Sequence, residues 1–306
     1  MVEQSAVVKW DDEVDVVCTG SGAAGLGSAI AVVELGGSVF VAEPSASDAA
    51  AVRPWLGAGV SDPETNEYFA ALASDLGPLR RSSYDLAVPV RAVHQHPPAD
   101  SGRTVAPFVG SRLRDWAARC LSTPYGYLYT RIPDWHSATV HTADGELVEV
   151  ADIGTMTPDA DDVGGSILDW LTAQACERDI ELNPDTTLER IVFEEGTAVG
   201  AVFTTPDGPL AVRARHGVTV AAGASRVTVP STGGLPAGAA VRVCLTGQRA
   251  SRFGRLELLT SEPLASPVSP TCRAGNRRLW VSLHESHDES HVWRCGKVHG
   301  HPAPGQ

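Results

Sequence analysis

"VDVVCTGSGAAGLGSAIAVVELGGSVFVAEP", residues 14–44, decides the fold. Val14, Val16 and Val17 are β-branched and closely spaced, which suits a buried parallel strand. Gly20, Gly22 and Gly25 follow at G-x-G-x-x-G spacing. Gly20 permits the tight turn out of the strand, Gly22 lets the backbone approach a pyrophosphate, and Gly25 lets a helix lie close on the sheet. Ser21, Ala23 and Ala24 are small and keep the turn open. A helix is predicted from Ala23 to about Leu35, with its free amides and positive dipole end facing the phosphates. Gly36-Gly37 ends it. "SVFVAE" is the second strand and brings Glu43 to its carboxyl end, where a carboxylate accepts hydrogen bonds from both ribose hydroxyls of an adenosine. These residues predict a βαβ unit that holds a dinucleotide with an unphosphorylated ribose, FAD or NAD rather than NADP. The same residues without a ligand would make a plain βαβ unit with a glycine turn.

A second block, "GGSILDWLTAQACERDIELNPDTTLERIVFEEGTAVGAVFTTPDGPLAVRARHGVTVAAGAS", spans residues 164–225. Ile167, Leu168, Leu171, Ala175 and Cys176 sit at helical spacing. "IELNPDTTLERIVFEE" alternates like a strand, and Glu194-Glu195-Gly196 and Pro206-Asp207-Gly208 are turns between strands. "GVTVAAGAS" is a buried strand that runs into a glycine turn at Ala222-Gly223. Between the two blocks, residues 62–77 form a helix capped by Asp62 with Pro63 at its first position. Residues 111–122 form another, with Leu113, Trp116, Ala117 and Cys120 on one face.

The two blocks resemble the FAD-binding domain of the fumarate reductase and 3-ketosteroid dehydrogenase flavoprotein family. The resemblance implies FAD as cofactor, held by Gly20, Ser21, Gly22, Ala23, Ala24, Gly25, Glu43, Ala222 and Gly223. It also implies an α/β fold: a discontinuous Rossmann-like FAD-binding domain (residues 1–64 and 164–230) with an inserted, reduced α+β cap domain (65–163). A loop-rich C-terminal segment (231–306) would complete the chain. The implied reaction is hydride transfer at a carbon–carbon bond next to a carbonyl, on a small-molecule substrate such as a steroid or enoyl compound. The chain departs from the family after Glu43. There "EPSASDAAAVRPWLGAG" replaces a glycine-rich loop, with Ser45 and Ser47 as the remaining donors, and no FAD-contacting glycine turn is identifiable after residue 231. These departures keep two alternatives in view, a catalytically degenerate nucleotide-binding or interaction protein and an NAD-binding protein.

"PYGYLYTRIPDWH", residues 124–136, holds three of the five tyrosines. On a strand Tyr125, Tyr127 and Tyr129 would share a face with Arg131. A tyrosine beside an arginine is a candidate proton carrier, because a cation lowers the phenol's pKa. Aromatic packing with a surface arginine explains the pattern equally simply, and is the reading preferred here. The tail "SLHESHDESHVWRCGKVHGH" offers His287, His291 and Cys295 as metal candidates. Their spacing fits no standard zinc pattern, so a solvated polar tail is expected and no metal is assigned.

Of the 306 residues, 43% are apolar and 20% charged, as in ordinary globular proteins. The net charge of −13 argues against a nucleic-acid partner. Six scattered cysteines without a C-x-x-C pair favour reduced thiols. The acidic N-terminus lacks a secretory layout and no apolar run spans a bilayer, so the cytoplasm is the expected location. There is no P-loop, nucleophile elbow or H-E-x-x-H motif, which leaves kinase and hydrolase readings without a foothold.

Overall fold

The computed structural model describes residues 8–45, 55–76, 86–93, 109–131, 138–143, 145–224, 235 and 238–261. All of them belong to one compact unit, Met1–Pro267. The strands are β1 (Asp12–Cys18), β2 (Val39–Glu43), β3 (Val90–Ala92), β4 (Gly126–Tyr129), β5 (Ala138–His141), β6 (Leu147–Met156), β7 (Leu182–Pro184), β8 (Thr187–Glu194), β9 (Thr197–Thr205), β10 (Gly208–Ala221), β11 (Val241–Gly247) and β12 (Phe253–Thr260). The helices are α1 (Ala23–Glu34), α2 (Pro63–Ala73), α3 (Val109–Ser122) and α4 (Val163–Cys176).

The strands form a single mixed sheet in the order β5-β6-β11-β12-β4-β10-β1-β2-β7, with β8 and β9 hanging from β10 and β3 from β12. β1 pairs in parallel with both β2 and β10, as its continuous valines require. The second block thus returns to the first through β10, whose early part closes the β8–β9–β10 meander. "IELNPDTTLERIVFEE" is broken into β7 and β8, because Asp185 adopts a positive φ of 51° between them. α2 and α4 start where capping chemistry puts them. Asp62 accepts from the Thr65 amide at 2.8 Å, and Asp162 accepts from the Gly165 amide at 3.0 Å.

The two faces of the sheet carry separate cores. On one, α1 and α4 cover Val16, the tyrosines of the β4 segment, Leu245, Leu256 and Leu258. On the other lie Val17, Phe40, Leu128 and Phe203, with Trp55, Phe69 and Trp116. α1 is buried from Ala23 to Val32. A Cβ on Gly27 would stand 3.2 Å from both Leu245 and Leu256, so it is Gly27 that presses this helix onto the sheet.

Strands from two of the expected segments join the main sheet. Residues 65–163 were expected as an inserted cap, yet β3, β4, β5 and β6 from this stretch join the same sheet as β1. β4 lies between β10 and β12 with all four residues buried, so it can only be an interior strand. Residues 231–306 were expected to be loop-rich, yet β11 and β12 pair along their whole lengths and extend the sheet.

β3, β12, β11, β6 and β5 also curl into a small barrel. Val93, just after β3, bridges Thr142, just after β5, and the Ala143 amide donates to the Ala92 carbonyl at 2.8 Å. Beside it is a buried ionic network. The Glu257 side chain is wholly buried and accepts from Arg91 Nη2 at 3.1 Å and from Arg255 Nε. Glu146 accepts from Arg91 and Arg119, each at 2.7 Å, and from Gln248 at 3.1 Å. Three guanidinium groups, of Arg91, Arg119 and Arg255, lie 5.8, 5.1 and 5.3 Å from the Trp116 ring centroid. The Trp116 indole donates to the Phe253 carbonyl at 2.7 Å.

Burial pushes the Glu146 carboxyl up, but hydrogen bonds from Arg119 and Arg91 outweigh it and hold the group below its ordinary 4.5. A carboxylate whose folded-state pKa is depressed stabilises the fold fully above its unfolded value. That contribution disappears as pH falls through the lower folded value. Urea stability measured from about pH 6 down to about pH 3 should therefore fall more steeply for the natural protein than for Arg119→Gln. Identical slopes would show that the Arg119–Glu146 pair contributes nothing.

Candidate functional site

The expected dinucleotide residues come from three strand ends that lie side by side. β1 leads into Gly20–Gly25 and α1, β2 ends at Glu43, and β10 ends just before Ala222 and Gly223. The Gly22 amide donates to the Ala222 carbonyl at 3.1 Å, and the Ala221 amide donates to Thr19 Oγ1 at 3.4 Å. Pro44, after Glu43, approaches Gly223. Sequence positions some 200 residues apart thus form one surface at the carboxyl edge of the parallel strands.

The glycines are required by the chain itself as well as by any ligand. A Cβ on Gly22 would stand 2.6 Å from the Ala222 carbonyl oxygen and 2.8 Å from that of Gly223. A Cβ on Gly20 would meet the carbonyls of Ala221 and Ala222. At Gly25 it would meet the Gly20 carbonyl, inside the turn, so the role expected of Gly25 against the sheet falls to Gly27.

Two features of the turn suit an anion. Ser21 is 1% exposed, and its hydroxyl has no hydrogen-bond partner among the described residues. Gly22 caps α1 without a side chain, and no acid stands in the first turn. The first amides of any α-helix have no acceptor within it. Buried donors without acceptors are costly, and a diphosphate supplies the acceptors they lack. Ala23, Ala24 and Gly25 provide those first-turn amides. Glu43 is half-buried, and no described residue donates a hydrogen bond to its carboxylate. The residues present therefore fit a dinucleotide. Ser45, a suggested donor, is engaged with Asp185 Oδ1 at 2.5 Å, and Ser47 lies outside the described residues.

The tyrosines behave as packing residues. Tyr125, Tyr127 and Tyr129 do share one face and all are buried. Burial pushes Tyr125 up to about 12, helped by the Asp162 charge. It pushes Tyr129 up to about 12 in spite of Arg131, and it raises Tyr127 as well. Tyr129 donates its hydroxyl to the His216 carbonyl at 2.6 Å. The expected lowering of a phenol by Arg131 is overridden by desolvation. Arg131 also lies away from the glycine turn, beside Gly217 in the interior of β10. It contacts the position of Gly217, four residues before Ala221, so at 3.3 Å per residue it is about 13 Å from the glycine turn. It therefore does not belong to the same site.

Cys18, Cys120, Cys176 and Cys244 are free thiols. Burial raises Cys18 and Cys244 to about 12, which makes both inert. Among the described residues no group of three metal-ligating side chains occurs, and His287, His291 and Cys295 lie outside them. No described helix is long and apolar enough to cross a membrane. Sequence reasoning missed the Arg91–Glu146–Glu257 network, whose single local signal was an acid in the apolar run "RLELLT".

No protein-family model matches the chain, and no curated protein matches it in sequence. Several solved structures match parts of the chain. A 3-ketosteroid-Δ4-(5α)-dehydrogenase from Rhodococcus jostii RHA1 is 21% identical, with a TM-score of 0.31, over 71% of this chain and 47% of that one. A flavocytochrome c3 fumarate reductase is 16% identical, with a TM-score of 0.28, over 67% and 33%. An aklavinone-11 hydroxylase solved with FAD and aklavinone is 21% identical, with a TM-score of 0.27, over 68% and 32%. The matched part thus covers less than half the length of each of these proteins.

Proposed function

We propose that this chain binds FAD at the β1–α1 turn and serves as the cofactor-holding part of an oxidoreductase. One observation carries the reading: a buried serine hydroxyl without a partner, Ser21, at the uncapped start of α1 and beside the end of β2 that bears Glu43. Ser21 and the amides of Ala23, Ala24 and Gly25 would hold the diphosphate, and Glu43 the adenosine ribose. The turn at Ala222-Gly223 would bound the site from β10. FAD would supply hydride acceptance and donation, and the protein's part would be to bind, orient and exclude water. Hydride transfer at a carbon–carbon bond adjacent to a carbonyl is the reaction class we assign, on the family resemblance of residues 14–44 and 164–225. The buried tyrosines are given no catalytic part.

Titration of the purified protein with FAD, followed by flavin fluorescence quenching, tests the proposal. FAD should bind and colour the protein yellow. Glu43→Ala should weaken binding about tenfold by removing two ribose hydrogen bonds, and Ser21→Ala about fivefold. In the ligand-free protein Ser21→Ala should leave stability unchanged or raise it, because a buried hydroxyl without a partner is lost. A protein indifferent to FAD, or variants with unaltered affinity, would overturn the assignment. Tighter binding of NADH than of FAD would transfer the site to a nicotinamide dinucleotide.

A further inference from the structure

The small barrel has a mouth. A cavity of about 400 Å3 opens there, within the roughly 300–1,000 Å3 of small-molecule sites, and barrel mouths commonly hold such sites. Its apolar wall includes Val93, Val140 and Leu259, continuous with the barrel's interior cluster. Its polar lining includes Thr139, His141 and Arg242. Among the described residues no Asp or Glu lines it, in a chain of net charge −13. Asp152 engages Arg242 through Nε at 2.7 Å and Nη2 at 2.6 Å, which orients the guanidinium and leaves part of its five-donor fork for another acceptor.

The cavity also lies on a particular side of the glycine turn. β12 and β6 run parallel to β1, because each is related to it through an even number of antiparallel pairings. The ends of β12 and β6 that line the cavity, at Leu259–Ser261 and Thr155, therefore face the same edge as Gly20–Gly25. Glu43 is on β2, to one side of β1, whereas β10, β4 and β12 follow in order on the other side. A dinucleotide with its adenosine at Glu43 and its diphosphate at α1 must extend its second half across β10 and β4. Three strand spacings separate β1 from β12, roughly 14 Å at about 4.8 Å each.

We propose that the barrel mouth binds a small molecule with an apolar body and a carboxylate, the carboxylate taken by Arg242 with His141 and the body by Val93, Val140 and Leu259. The position of this pocket on the side of the dinucleotide's redox-active half rests on the function proposed above, whereas the pocket itself does not.

The probes are 2-naphthoate and its neutral analogue 2-naphthamide, titrated calorimetrically into the full chain. 2-Naphthoate should bind saturably, one per chain. Arg242→Gln should weaken it about fivefold, a modest factor because Asp152 already shares that charge, and should leave 2-naphthamide unaffected. Thr139→Trp, which fills the mouth from an exposed position, should abolish both, and Thr155→Trp is the second blocking variant should the first misfold. Absence of saturable binding by either probe, or natural affinity in a folded blocking variant, overturns the site. Equal binding of both probes that ignores Arg242→Gln overturns the ligand class. In protein loaded with FAD, 2-naphthoate should perturb the flavin absorption band. If the protein takes up no FAD, the dinucleotide assignment fails while the naphthoate titration still decides the pocket.

Discussion

Replacing Glu257 with glutamine is expected to cost about 3–5 kcal/mol of unfolding free energy, the usual loss when one member of a buried ion pair is removed. The Glu257 side chain is 0% exposed and is the shared partner of Arg91 and Arg255, themselves 10% and 14% exposed. Glutamine keeps the shape and removes the charge, which leaves three guanidinium groups around Trp116 with one carboxylate, Glu146, and that carboxylate pairs with Arg91 and Arg119 but not with Arg255. Globular domains are stable by only about 5–15 kcal/mol, so much of the protein's margin depends on this one carboxylate. Urea unfolding followed by tryptophan fluorescence measures it. Glu181→Gln, at an exposed position with no hydrogen-bond or ion-pair partner among the described residues, is the control and should change stability by less than about 0.5 kcal/mol. A loss below about 1 kcal/mol at Glu257 would mean that the apolar packing around the network holds the barrel without it.

The second large effect is expected at Gly22. A valine there would drive its Cβ into two backbone carbonyls, 2.6 and 2.8 Å away, and neither can turn aside as a side chain would. The start of α1 and the end of β10 must then separate, and both edges of the proposed diphosphate seat are displaced together. FAD affinity should fall on the order of 100-fold, equivalent to the loss of two charge-assisted hydrogen bonds. Gly247→Ala makes the matched control, because a Cβ there meets nothing within 4 Å. Circular dichroism on both variants separates loss of the seat from loss of the fold. A folded Gly22→Val protein with unaltered FAD affinity would place the nucleotide elsewhere or nowhere.

Local chemistry made a large part of this protein legible. The run of valines, the glycine spacing and the acid at Glu43 all act within about thirty residues, and each has a local physical reason, so β1, α1 and β2 form where the sequence places them. The same holds for α2 and α4, whose caps are single side chains. The alternation of Tyr125, Tyr127 and Tyr129 also gave their common face correctly, although not their environment. Whether a phenol is lowered by an arginine or raised by burial depends on what covers it, here α1, α4 and their core, which no spacing on β4 encodes.

By itself, then, the sequence determined the βαβ unit and the meander, because these follow from backbone sterics and periodicity over short distances. Only the tertiary structure decided that β3, β4, β5, β6, β11 and β12 join the main sheet, that Gly20 and Gly22 are demanded by the chain at the end of β10, and that Arg91, Glu146 and Glu257 meet. Strand order and buried ion pairs arise from contacts between segments distant in sequence, 55 residues apart for Arg91 and Glu146 and 166 for Arg91 and Glu257. Their partners are selected by the free energy of the whole packed core rather than by any neighbouring residue.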